Sequence, residues 1–128
     1  MVKRILVLTE EKLVSNLLKK RLSDEDYQVV ISDDPEKALV IIIQEKINLI
    51  VLDLDLSDLT AFSFLVKKKS DSDLKKIPVL VISNAGQIGE LSQAQELGAT
   101  DWVLKTEFDP GEIAQKVKNI FKSIKATS

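Results

Sequence analysis

Four side chains suited to phosphate or a hard cation stand just after short aliphatic runs. Glu10 follows Ile5–Leu8 and Thr9, Asp53 follows Leu49–Leu52, Ser83 follows Val79–Ile82, and Lys105 follows Trp102–Leu104. Glu11 adjoins Glu10, and Asp55 lies just past Asp53. Oxygen donors suit Mg²⁺, and an ammonium suits a phosphate oxygen. Gathered in one place, these groups would supply the parts for phosphoryl transfer to a carboxylate. Asp53 would be the nucleophile, and Glu10 and Asp53 would hold Mg²⁺ between them. Ser83 and Lys105 would meet the phosphoryl oxygens as charge moves onto them. Residue type and position alone leave a second reading open, an ordinary polar rim, because Asp and Ser after a strand are common turn formers.

Composition removes most other chemistries. The 128 residues contain no His and no Cys, which excludes thiol nucleophiles, disulfides, Cys/His zinc sites and every His-based dyad or triad. Charge is balanced, 18 basic residues against 20 acidic, so clustered phosphate contacts are not expected and no direct nucleic-acid partner is assigned. The basic run Lys67–Lys69 is followed at once by Asp71 and Asp73 and reads as a solvated helix end. The longest apolar stretch, Ala38–Ile43, is far short of the roughly 20 residues of a membrane span. No signal peptide is read at the N-terminus, so a cytoplasmic chain with no membrane partner is expected.

The elements that must position these residues are legible as an alternation. Five runs, Ile5–Leu8, Val29–Ile31, Leu49–Leu52, Val79–Ile82 and Trp102–Leu104, are continuously apolar, as strands buried on both faces of a parallel sheet are. Between them lie helical stripes: Leu13, Leu17, Leu18 and Leu22; Leu91, Ala94 and Leu97; Ile113, Val117, Ile120, Phe121 and Ile124. Asp34-Pro35 and Asp109-Pro110 signal helix starts, the latter with Glu112 three residues after the Asp, and Gly98 signals a stop. The expected fold is α/β, a (βα)₅ doubly wound parallel sheet of flavodoxin-like order 2-1-3-4-5. Right-handed crossovers would put the first and last helices on one face and the middle three on the other. Ligands in such sheets bind beyond the carboxyl ends of the strands, where Glu10, Asp53, Ser83 and Lys105 fall.

Three segments then carry a resemblance. Leu49–Ser57 (Leu-Ile-Val-Leu-Asp-Leu-Asp-Leu-Ser) resembles the phosphoacceptor strand of two-component response-regulator receiver domains. Val79–Asn84 is similar to their fourth strand with its Ser/Thr, and Leu97–Lys105 to their fifth-strand segment with its aromatic and Lys. Order and spacing also match, over essentially the whole chain. The resemblance implies a stand-alone, chemotaxis-type receiver over residues 1–125, with 126–128 a short tail and no output domain. It implies Asp53 as phosphoacceptor and Ser83 and Lys105 as phosphoryl contacts. Glu10, Asp53 and the backbone carbonyl of Asp55 would be Mg²⁺ ligands, with Glu11 a spare carboxylate. Ser83 and Trp102 would be the switch pair, and Asp55 and Ala85 would flank the attacking water. The implied partners are a histidine kinase or phosphotransfer protein and a downstream protein target. A homodimer through the fourth and fifth helices is a further expectation. Such a protein is a signalling switch rather than an enzyme.

Departures from the pattern keep an alternative in view. Thr9 stands where the family usually has the first of an acidic pair, which should weaken Mg²⁺ binding. Thr106 follows Lys105 where Pro is common, and Trp102 is larger than the usual Tyr or Phe. The alternative is a degenerate receiver, used as a phosphorylation-independent dimerisation or docking module. A flavodoxin-like nucleotide or FMN binder is disfavoured, because Thr9-Glu10-Glu11-Lys12 has no Gly and presents carboxylates where a phosphate cradle needs N–H groups.

Overall fold

The five apolar runs become five short strands, each followed by a helix. A computed structural model of the protein describes residues 2–57, 60–84 and 88–127. In order they are β1 (Arg4–Leu8), α1 (Lys12–Asp24), β2 (Gln28–Ser32), α2 (Pro35–Gln44), β3 (Leu49–Asp53), α3 (Thr60–Lys69), β4 (Val79–Ser83), α4 (Ile88–Glu96), β5 (Asp101–Leu104) and α5 (Pro110–Thr127). Short 3₁₀ turns at Leu74–Lys76 and Lys105–Glu107 precede β4 and follow β5. The strands form one parallel sheet in the order β2-β1-β3-β4-β5, as expected. The expected tail is mostly helix, since α5 runs to Thr127, while Ser128 and Ala85 lie outside the described residues.

Alternation along the strands builds two cores. Leu6, Leu8, Ile50, Leu52, Val79 and Val81 point to one face, where Ala38, Ile42, Ala61, Phe64, Leu65 and Ala94 of α2, α3 and α4 cover them. Ile5, Val7, Leu49, Val51, Leu80 and Ile82 point to the other, under Val14, Leu18 and Leu22 of α1 and Ile113, Val117 and Ile120 of α5. The division of helices is the one that right-handed crossovers require. β3 is buried along its whole length, so its last residue, Asp53, is carried into the interior by its apolar neighbours.

Local signals fix the ends. Asp34 Oδ1 accepts from the backbone N–H of Glu36 at 2.9 Å and of Lys37 at 3.4 Å, with Pro35 opening α2. Asp109 Oδ1 accepts from Gly111 N at 2.9 Å at the start of α5. After α4, Gly98 takes φ 101°, and paired bonds from Ala99 N to Ala94 O and from Gly98 N to Gln95 O close the helix.

Two expectations are corrected. Leu13 and Leu17 lie outside the core, 72% and 39% exposed, and Val14 takes the inward position with Leu18 and Leu22. The inward row steps by four from residue 14, whereas Leu13 and Leu17 form the adjacent ridge. The run Lys67–Lys69 is solvated only in part, because Lys68 continues the inward row of Ala61, Phe64 and Leu65 and is 4% exposed.

Candidate functional site

The site forms where β1, β3, β4 and β5 end. β3 and β4 end at Asp53 and Ser83, and Leu54 N still donates to Ile82 O at 2.9 Å, so the end of β3 is held against β4 just past Asp53. Asp53 is 2% exposed, a charge in a place that demands compensation. Its Oδ1 accepts from the backbone N–H of Asp55 at 2.9 Å. Its Oδ2 accepts from the Thr9 hydroxyl at 2.7 Å and lies 2.9 Å from Lys105 Nζ. Both oxygens are therefore held in a fixed orientation at the strand end.

Lys105 is the centre of the cluster. Its ammonium donates to Glu11 Oε1 at 2.7 Å and stands 2.9 Å from Asp53 Oδ2 and 3.2 Å from Asp55 Oδ2. Burial by itself would lower the pKa of this amine. The hydrogen bond to Glu11, the hydrogen bonding and charge of Asp53, and then the nearby Asp55 carboxylate outweigh that and hold it above the ordinary lysine value. The lysine stays charged throughout the physiological range.

The remaining site residues are distributed less simply. Glu10 faces Ser57, whose backbone N–H and hydroxyl both donate to Glu10 Oε1, at 2.9 and 2.8 Å. This ties the loop after β1 to the loop after β3, and Glu10 forms no ion pair within the Lys105 cluster. Ser83 is fully buried, and its hydroxyl donates to the Asn84 carbonyl at 3.4 Å, a long bond that leaves Asp53 and Lys105 untouched. Trp102 sits on the edge strand β5 opposite Val81 and is 39% exposed. Hydrogen bonds and ion pairs thus join Asp53, Asp55, Lys105 and Glu11, the spare carboxylate, whereas the bonds of Glu10 and Ser83 at the same end of the sheet go to Ser57 and Asn84.

Two contributors are absent from the expected set. Thr9, read from sequence as a lost acid, is a hydrogen-bond donor to Asp53, and it also accepts from Glu11 N at 3.1 Å. Ser57 was visible only as the end of the β3 segment. Thr9 had one available signal: a residue one past a buried strand faces its parallel neighbour's last residue, and a hydroxyl there can donate.

Among the described residues no three acidic side chains are arranged as a metal cage. Mg²⁺ does not require one, since it keeps several waters and commonly uses one or two carboxylates together with phosphate oxygens. Asp55 Oδ2 is buried and has no hydrogen-bond partner, and its neighbour is the Lys105 ammonium at 3.2 Å. An anionic oxygen without a hydrogen bond, beside the Asp53 carboxylate, is a donor set of the kind a hard divalent cation takes. The residues fit such an ion.

Residues 5–118 match the family model described as "Response regulator receiver domain". A "Probable transcriptional regulator ycf27" of Cyanophora paradoxa is 32% identical over 120 residues, covering 94% of this chain and 48% of the relative. The chain spans about half the length of the curated relatives it matches. A "response regulator receiver domain protein (CheY-like)" from Methanospirillum hungatei JF-1 superposes with TM-score 0.89 at 20% identity, covering all of both chains. The Mn²⁺-bound form of response regulator Rcp1 superposes with TM-score 0.78 at 26% identity, covering 93% of this chain and 94% of that one. Among the described residues no helix is long and apolar enough to cross a membrane.

Proposed function

The chain belongs to the response regulator receiver domain family of two-component signalling, and on that footing we propose that it is a phosphoacceptor switch with Asp53 as the group phosphorylated. The observation that carries this reading is the Asp53 carboxylate, buried at the end of β3 yet held on both oxygens by Asp55 N–H, Thr9 and Lys105. Fixed orientation of a nucleophile is a large part of what catalysis of phosphoryl transfer requires.

In the proposed step an Asp53 oxygen attacks the phosphorus of a phosphohistidine on a kinase or phosphotransfer protein. An O–P bond forms, the N–P bond breaks, and the departing imidazole keeps the electron pair and takes up a proton. Lys105, fixed beside Asp53 and permanently charged, meets a phosphoryl oxygen, and the buried Ser83 hydroxyl turns from Asn84 to meet another. Mg²⁺, held by Asp53, the Asp55 backbone carbonyl and Glu10 once it leaves Ser57, would neutralise charge on the phosphoryl oxygens. Hydrolysis returns the carboxylate and releases phosphate, with Asp55 beside the water. Movement of Ser83 and Trp102 would reshape the surface of α4, β5 and α5 for a downstream protein target or a second copy of the chain. The chemistry serves the protein's own signalling state.

Acetyl phosphate or beryllofluoride with Mg²⁺ tests the reading. A mass gain of one phosphoryl group, or a change in the fluorescence of Trp102, the single tryptophan, is expected. Asp53→Asn should abolish both. A second reading, a phosphorylation-independent docking module, draws on Thr9 in place of an acid and on Glu10 turned to Ser57. An intact fold with no response at millimolar Mg²⁺ would select it.

A further inference from the structure

The contacts of Lys105 contain a conflict that the proposed phosphorylation must resolve. An ammonium has three N–H donors, and here three carboxylates, Glu11, Asp53 and Asp55, already surround it at 2.7, 2.9 and 3.2 Å. Asp53 beneath them is 2% exposed, so an incoming phosphoryl group finds both its nucleophile covered and its cationic contact engaged. One of the three must yield. Asp53 is the acceptor itself. Asp55 is anchored through its backbone N–H to Asp53 Oδ1 and its side chain is only 25% exposed. Glu11 has the shortest contact, yet its side chain is 55% exposed and makes no capping bond to α1. It is the member of the cluster that can swing into water at the smallest cost.

We propose that Glu11 is a gate on the phosphorylation site, a carboxylate strap that holds Lys105 across Asp53 in the resting state and competes with the phosphoryl group for that lysine. The proposal rests on the reading of Asp53 as phosphoacceptor. It assigns Glu11 a role opposite to that of a metal ligand: removing the carboxylate strengthens binding of a phosphoryl group instead of weakening it. Glu11 acts through Lys105 and is a positioning residue. Glu11 is half exposed although Lys105 is not, and an ion pair with one member in water is weak, so the expected effect is about two- to fivefold.

The test is ¹⁹F NMR titration of beryllofluoride into the full chain at saturating Mg²⁺, for the wild type, Glu11→Gln and Glu11→Asp. Glu11→Gln should lower the half-saturating beryllofluoride about two- to fivefold, and the ratio should fall toward one as NaCl screens the pair in the wild type. Its Mg²⁺ titration should be unchanged. Glu11→Asp keeps the charge but withdraws the carboxylate by one methylene from a 2.7 Å contact, and it should retain part of the gain. Equal or weaker beryllofluoride binding by Glu11→Gln, or weaker Mg²⁺ binding, overturns the gate. So does a Glu11→Asp variant indistinguishable from the wild type beside a tighter Glu11→Gln, since charge repulsion alone would give that pattern. If neither the wild type nor Glu11→Gln binds beryllofluoride, the phosphoacceptor reading itself fails.

Discussion

Lys68 at the end of α3 and Lys105 after β5 are both withdrawn from water, and the fold answers the two in opposite ways. Lys68 is 4% exposed among Phe64, Leu65 and the rest of the inward row, and none of the ion pairs among the described residues includes it. Desolvation alone lowers its pKa to about 8. The Lys105 side chain is 9% exposed, but three carboxylates from two segments reverse the desolvation and push its pKa upward. Burial sets the size of the electrostatic problem, and partners set its sign. Lys68 solves it by extending its tip, since Asp55 Oδ2 is the one fully buried side-chain polar atom without a hydrogen bond among the described residues. Lys105 has its charge held in place, which is what a phosphoryl contact needs.

The largest expected effect comes from removing the partnered lysine. Lys105→Met leaves Glu11, Asp53 and Asp55 facing one another without a cation, and the loss of stability should be about 2 kcal/mol by urea denaturation, less than for a fully buried pair because Glu11 is exposed. Loss of a positioned charge donor should slow phosphorylation by acetyl phosphate about 100-fold. Because the folded pKa of Lys105 is raised, its contribution is fully present below the unfolded value of 10.5 and is lost as pH rises through the raised one. Unchanged stability in Lys105→Met would break the contrast, since the cluster would then be worth nothing.

The unpartnered lysine should behave in reverse. Lys68→Met keeps the apolar stem and removes the charge, and it should stabilise the fold by about 1 kcal/mol at pH 7, a figure reduced because the tip reaches water. The sign follows from linkage. The native pKa, about 8, is depressed below the unfolded 10.5, so the unfolded chain binds the proton more tightly between those values. The wild type carries its full penalty below about pH 8, and the gain from Lys68→Met should fade as pH rises from 8 to 10.5. Paired urea melts at pH 7 and 10 measure it. Phosphorylation by acetyl phosphate should be the same in both proteins.

How the sequence foretold these regions differs for physical reasons. Strand order, the two cores and the placement of Asp53 follow from apolar runs and connection lengths, because hydrophobic burial depends on pattern and little on detail. Lys67–Lys69 misled because a charged triplet says nothing about which of its members faces inward; that depends on phase with Ala61 and Phe64, seven and four residues earlier. Residue types placed Asp53 and Lys105 together. They could not choose between Glu10 and Glu11 for Lys105, since adjacent carboxylates on a turn are separated only by backbone direction. Ser57 decided it by donating twice to Glu10.

Thr9 sharpens the comparison with the smallest change. Its hydroxyl is a second, uncharged partner for Asp53 Oδ2, beside the ammonium of Lys105. Thr9→Val removes that donor at nearly constant shape. A hydrogen bond to a charged group contributes roughly 1.5–3 kcal/mol, but Lys105 still covers the oxygen and the added methyl is buried favourably. The net loss should be about 1 kcal/mol or less, smaller than for Lys105→Met. Thr9→Asp makes the converse change, setting a carboxylate against Asp53 with no added cation. Its stability should fall in the absence of Mg²⁺ and recover as Mg²⁺ is added, because an ion that binds only the folded state stabilises it. Thermal melts of the two variants with and without Mg²⁺ separate the roles. Were Thr9→Asp as stable as the wild type without the ion, a charge beside Asp53 would need no partner, and the rule drawn from Lys68 and Lys105 would not extend to the carboxylates.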